Sequence, residues 1–141
     1  VEAGLIPWLK RHKVERKNVR LGTSIIDYSF INSGETYVEV KSAVMREGNA
    51  AIYPDCPSPR AHKQLQELIR ESERSVKCFM VFIAAVPNAR FFKPNQKADP
   101  SLHKLLMKAK ETGVKLKAIG LHYNPRKASV ELYNPDLPVV F

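Results

Sequence analysis

The chain is 141 residues long and 44% hydrophobic, with 23 Lys and Arg against 14 Asp and Glu, a formal charge of +9. That length and apolar content suit one compact domain over residues 1–141, and no apolar run approaches the roughly 20 residues of a membrane-spanning helix. The positive balance attracts polyanions and puts nucleic acid first among partner classes, while two cysteines, Cys56 and Cys78, suit neither a disulfide framework nor a metal-binding spacing and fit a reducing cytoplasm.

Val1 to Leu9 reads as a short apolar helix interrupted by Pro7, followed by the basic run Lys10-Arg11-His12-Lys13. Val14 to Arg20 and Ser24 to Ile31 read as strands from their β-branched and aromatic residues, and so does Thr36 to Ala43 beyond the turn signal Asn32-Ser33-Gly34. Met45 to Ser58 contains Gly48, Pro54 and Pro57 without a sustained period and reads as a long surface loop. From Pro59 the pattern is helical, with Ala61, Leu65, Leu68, Ile69 and Ser72 on one face and Arg60, Lys63, Glu67 and Arg70 on the other. Val76 to Val86 is expected as a buried strand, with Phe91-Phe92-Lys93 in a loop after it. Ser101 to Thr112 follows as a helix closed by Gly113, then Val114 to Leu121 as a strand and Ser129 to Tyr133 as an edge strand. The order implies a single mixed α/β sheet flanked by helices, an antiparallel meander leading into a crossover.

Charges are depleted from strands, so Glu39 and Lys41 inside the third strand stand out, and at a period of two they share a face with Tyr37. A three-residue loop with Gly34 left-handed would set Ile31 opposite Glu35 and hence Asp27 opposite Glu39. A two-residue loop would pair Asp27 with Val40 and bury the carboxylate among apolar side chains. The odd loop collects Ile25, Asp27, Ser29, Glu39 and Lys41 on one face and leaves Ile26, Tyr28, Phe30, Val38 and Val40 as core. Two carboxylates facing across paired strands, about 5 Å apart at Cβ, repel unless a cation lies between them. Mg²⁺ or Mn²⁺ would resolve that conflict, and Lys41, about 7 Å along the strand, could stabilise charge on a phosphodiester. The plainer alternative is a solvated sheet face on which Lys41 neutralises Glu39.

Ser24-Ile25-Ile26-Asp27-Tyr28 together with Tyr37-Val38-Glu39-Val40-Lys41-Ser42 resembles the PD-(D/E)XK restriction-endonuclease-like superfamily. Within it, Tyr53-Pro54-Asp55-Cys56-Pro57-Ser58-Pro59-Arg60 and the following Lys63-Gln64-Leu65-Gln66-Glu67-Leu68 resemble the sugar fermentation stimulation protein A family, as do Glu2-Ala3-Gly4-Leu5, Asp99-Pro100, Ala109 and Gly113-Val114. Ile26, Ala61 and Gln64 stand where that family usually has arginine, glycine and histidine. The resemblance implies the C-terminal nuclease-like domain, without the family's N-terminal OB-like domain. It also implies a cytoplasmic, sequence-nonspecific DNA-binding protein linked to regulation of sugar metabolism, which either cleaves DNA or binds it without cutting. Carried over by position, it makes Asp27 and Glu39 the metal-ligand carboxylates and Lys41 the motif lysine, while Asp55, Arg60, Lys63 and Glu67 match family positions whose role it does not fix. By its place in the loop after the motif strand, Asp55 could add a ligand or equally cap the next helix, and Arg60 and Lys63 share a helical face that could contact DNA phosphates or simply be solvated. Glu2 could reach the site from the first helix. The four histidines make no metal spacing, and no glycine-rich loop supports a small-molecule phosphate site.

Overall fold

The computed structural model describes residues 4–141. A 3-10 turn, Pro7–Leu9, leads into β1 (Lys13–Leu21), β2 (Ser24–Ile31) and β3 (Glu35–Ala43). Then follow β4 (Met45–Glu47), β5 (Ala50–Tyr53), α1 (Pro59–Glu73), β6 (Lys77–Ala84) and β7 (Phe91–Pro94). The chain ends with α2 (Pro100–Thr112), β8 (Lys115–Asn124) and β9 (Ser129–Leu137). The expected first helix lies partly outside the described residues, and what is described of it is only the turn that Pro7 opens, because a proline early in a short apolar segment permits one turn and little more.

Six strands form a mixed sheet in the order β1-β2-β3-β6-β8-β9. Its centre, β3-β6-β8, is parallel, and its two flanks are antiparallel hairpins. The parallel pairs require crossovers, and α1 and α2 supply them on one face of the sheet. Each helix is terminated as its sequence dictates. Ser58 Oγ accepts from the Ala61 N–H and Asp99 Oδ1 from the Leu102 N–H, prolines occupy the first helical position in both, and Gly113, left-handed at φ 104°, closes α2.

The segment expected as a loop after β3 is instead a hairpin, β4–β5, turning at Gly48 (φ 59°). It joins β7 in a second, three-stranded sheet, so the single-sheet expectation is corrected. These strands are three or four residues long, too short for an alternation to show, and they are held by tertiary contact. Phe92 of β7 is fully buried and stacks on Phe82 of β6 with ring centroids 4.1 Å apart, which fastens the small sheet to the large one.

The main core lies between the large sheet and the helices, with Leu65, Leu68 and Ile69 of α1 and Leu102 and Leu106 of α2 against Ile26, Met80 and Phe82. A second cluster covers part of the opposite face, where Ile6 and Leu9 pack on Phe30, Val38, Phe79 and Val81, and Trp8 stacks on Phe79 at 5.5 Å.

Candidate active site

The β2–β3 hairpin has the register expected from a three-residue loop: Ile31 faces Glu35, Phe30 faces Thr36 and Tyr28 faces Val38. Within the loop it is Ser33 that sits in the compact left-handed region (φ 57°), and Gly34 adopts φ 146°, a correction of the assignment of the left-handed position to Gly34. The ladder stops at Tyr28–Val38, one step short of Asp27 and Glu39.

Beyond that point carboxylates take over from the backbone ladder. The Asp27 N–H donates to Glu39 Oε2 at 3.0 Å, and the Val40 N–H donates to Asp27 Oδ2 at 2.9 Å. Each acid thus accepts a main-chain proton from the other's strand, which brings the two side chains together across the gap and rules out the solvated-face alternative for Glu39, 1% exposed. The lysine completes the arrangement. Lys41 Nζ donates to Glu39 Oε1 at 2.8 Å and to Gln64 Oε1 at 2.5 Å, and Gln64 Nε2 donates to the Ile25 carbonyl at 2.9 Å. Gln64, 1% exposed, therefore ties α1, β2 and β3 together at the site.

The division of the hairpin into a core face and a site face needs correcting. Tyr37 and Ile26 belong to the helix-side core, whereas Tyr28, Phe30, Val38 and Val40 belong to the opposite cluster, so both faces are covered. Ile26 and Tyr28, two residues apart, lie on different faces, and the alternation breaks at Asp27 itself. Across from it on β1, Asn18 has φ 53°, the local irregularity that absorbs the break.

Burial pushes the Glu39 carboxyl up from its ordinary range; the ammonium of Lys41 opposes that shift and the nearby charge of Asp27 adds to it. Burial likewise raises the phenol of Tyr53, which sits near Glu39, Asp55 and Asp99. Cys78, buried with its thiol pushed up to about 12 by desolvation, has no thiolate for metal or nucleophilic duty near neutral pH.

Asp55 is exposed on the loop between Tyr53 and α1, and among the described residues no three His, Cys, Asp or Glu side chains converge as a metal cluster. The cap of α1 is Ser58 rather than Asp55. Arg60 and Lys63 are exposed on the first turns of α1. Glu67, expected on the solvated face, is buried under the β1–β2 turn, paired with Arg70 at 2.6 Å and reached by Thr23 Oγ1 at 3.4 Å. Glu2 lies outside the described residues.

Two features escaped the sequence reading. The sequence marks Gln64 only as standing where the resembled family usually has histidine; its contacts to Lys41 and Ile25 could not be foreseen, because a glutamine on a helix gives no local sign of which strand it will reach. The other is a clasp: Asp99 caps α2, accepts from the Ser58 N–H at 3.1 Å where α1 begins, and lies 3.0 Å from His62 Nε2. The Asp99-Pro100 pair marks the α2 cap in the sequence, but its reach to α1 is purely tertiary.

The Asp27–Glu39 pair fits a hard divalent ion. Asp27 Oδ1 makes no hydrogen bond among the described residues, and carboxylate oxygens already accepting one proton keep a lone pair free. The family model described as "Sugar fermentation stimulation protein RE domain" matches residues 1–127. Proteins named sugar fermentation stimulation protein homolog are 43% identical, that of Pyrococcus furiosus over 123 residues (86% of this chain, 54% of its own) and that of Archaeoglobus fulgidus over 125 (89% and 53%). The chain thus spans about half the length of these curated relatives. A solved structure of Pyrococcus furiosus SfsA in complex with Ca²⁺ superposes with a TM-score of 0.95 at 40% identity, covering 99% of this chain and 60% of that one. The paired acids, the lysine beside them and these likenesses agree: the chain belongs to the sugar fermentation stimulation protein family.

Proposed function

We propose that this domain is restriction-endonuclease-like, binds DNA without sequence preference, and acts on phosphodiesters with a divalent metal held by Asp27 and Glu39. The observation that carries the reading is the hydrogen-bonded set Asp27–Glu39–Lys41–Gln64 at the place where the β2–β3 ladder opens. A binding surface alone has no use for two carboxylates that repel a polyanion, one of them buried. Ca²⁺ in the Pyrococcus furiosus relative supports an oxygen-ligated divalent site, for which Mg²⁺ or Mn²⁺ is the working ion proposed here.

Such an ion supplies Lewis acidity to a phosphodiester oxygen and favours ionisation of a nearby water. The protein's own groups do the rest. Asp27 and Glu39 are oriented by main-chain N–H donors, so their geometry costs no reorganisation when a substrate arrives. Lys41 has three donors, two of which are committed to Glu39 and Gln64; the third is left for the charge that develops on the phosphoryl oxygens. The +9 charge draws DNA toward the surface, and Arg60 and Lys63 on α1 are positioning contacts to its backbone.

The test is cleavage of labelled single- and double-stranded DNA with Mg²⁺ or Mn²⁺, beside Asp27→Ala, Lys41→Ala and an EDTA control. Metal-dependent cutting that both substitutions and EDTA abolish is the expected result. Binding without cutting would sink the catalytic part and leave a DNA-binding regulator of sugar metabolism, a reading the net charge alone also favours.

A further inference from the structure

β1 is an edge strand, paired only with β2, and its exposed residues are overwhelmingly cationic: Lys13, Arg16, Lys17 and Arg20 against the single acid Glu15. Arg16 is neutralised by Glu15 and Glu35. Lys17 and Arg20 make no ion pair among the described residues, so their charge is available to a partner.

Their placement follows from the irregularity described above. Lys17 pairs with Tyr28 of the open-face cluster, whereas Val19 and Leu21 belong to the helix-side core together with Ile26. Arg20, between Val19 and Leu21 and opposite the exposed Ile25, therefore returns to the open face. The register thus sets Asn18 beside Asp27 with one unpaired cation on either side. Lys17 and Asp27 also line the same groove of about 890 Å³, whose floor, with Tyr28, Val40, Ile83 and Ile119, is apolar. Lys17 is the one cation among the residues that line that groove, and it stands next to the acid proposed to hold the metal. Cations on an edge strand also discourage edge-to-edge pairing, but that duty is met by Lys13 and Arg16 and does not require two cations flanking Asp27 on one face.

We propose that the β1 edge is a phosphate track, with Lys17 and Arg20 gripping the DNA backbone beside Asp27. The proposal rests on the DNA-binding reading above and adds the path the nucleic acid takes. The two residues are three apart, about 10 Å along the strand, which spans a few consecutive phosphates. Arg60 and Lys63 lie on α1, on the other face of the sheet, and are not part of this track.

The test is fluorescence anisotropy of a labelled DNA duplex across a salt series, for the unaltered chain, Lys17→Ala/Arg20→Ala, and Lys104→Ala/Lys108→Ala on the exposed side of α2 as a control that removes the same charge. Each lost phosphate contact removes about 0.9 from the magnitude of the log–log salt slope, so the β1 variant should lose about 1.8 while the α2 variant keeps the full slope. Equal loss in both variants, or an unchanged slope in the β1 variant while DNA is still bound, overturns the track and leaves the DNA-binding reading standing. No binding by the unaltered chain at low salt overturns both. Matching circular dichroism of the three proteins excludes misfolding as the cause of any difference.

Discussion

Gln64 governs where the Lys41 ammonium can point. Its carboxamide accepts from Nζ and is itself held by the Ile25 carbonyl, so Gln64→Leu removes one of two acceptors from the lysine and strands a main-chain carbonyl. Outer partners of this kind typically matter by 10- to 100-fold, roughly the loss of metal-dependent cleavage expected, with Mn²⁺ affinity by calorimetry nearly unchanged because Gln64 touches neither carboxylate. Glu39 yields a pH prediction. Its folded pKa lies above the unfolded value, so its contribution to stability is present below the ordinary carboxyl range and is lost as pH rises through the raised value. Urea denaturation in EDTA should show metal-free stability declining over that window, and Glu39→Gln should flatten the decline; an unchanged slope would refute the burial argument. At Gly22, φ is +58° and a Cβ would stand 2.4 Å from Glu67 Oε2. Gly22→Ala should cost about 1–3 kcal/mol, read as a lower urea midpoint, because it combines a strained backbone with a collision against a buried carboxylate. The acid-x-lysine pair and its facing aspartate were legible at this scale, since charges in a strand demand a partner. The switch of faces at Asp27 was not, because a left-handed residue in the neighbouring strand, Asn18, leaves no mark on the alternation of β2.

At the scale of elements, Asp99 joins α1 to α2. Burial alone would raise its carboxyl, but N–H donors from Leu102 and Ser58, with His62 and Ser101, hold it down at about 2. A depressed folded pKa means that its stabilisation is complete above about 4 and lost as pH falls toward 2. Asp99→Ala removes the α2 cap and a partner of α1 together; the expected cost is about 2 kcal/mol by thermal or urea denaturation near neutral pH, shrinking below pH 3. Both helices and the six strands of the large sheet could be read from period, caps and turn residues, with boundaries off by a few positions. β4, β5 and β7 could not. Met45 to Glu47 is wholly exposed and Ala50 to Ile52 wholly buried, so neither alternates, and they pair because Phe92 must be buried against Phe82.

For the whole molecule, the excess is nine positive charges, and Lys17 of β1 is the one cation among the residues lining the groove beside Asp27. DNA affinity should therefore fall steeply with salt by counterion release, and cleavage at fixed enzyme should fall with it. Salt-insensitive binding would dissociate charge from function. Among the described residues no helix is long and apolar enough to cross a membrane.

What the sequence by itself determined was the list of elements in the large sheet, the hairpin register and hence the meeting of Asp27 with Glu39. Each depends on interactions between near neighbours, where period and turn geometry act directly. Only the tertiary structure decided that Gln64 rather than solvent would hold Lys41, that Ser58 rather than Asp55 would cap α1, that Glu67 would be buried under a turn, and that Asp99 would serve two helices. Those outcomes depend on which elements pack together, and a side chain 23 positions away, as Gln64 is from Lys41, or 41, as Asp99 is from Ser58, leaves no trace in local pattern. It is desolvation on packing that turns a polar residue on a helix face into a fixed partner of a site.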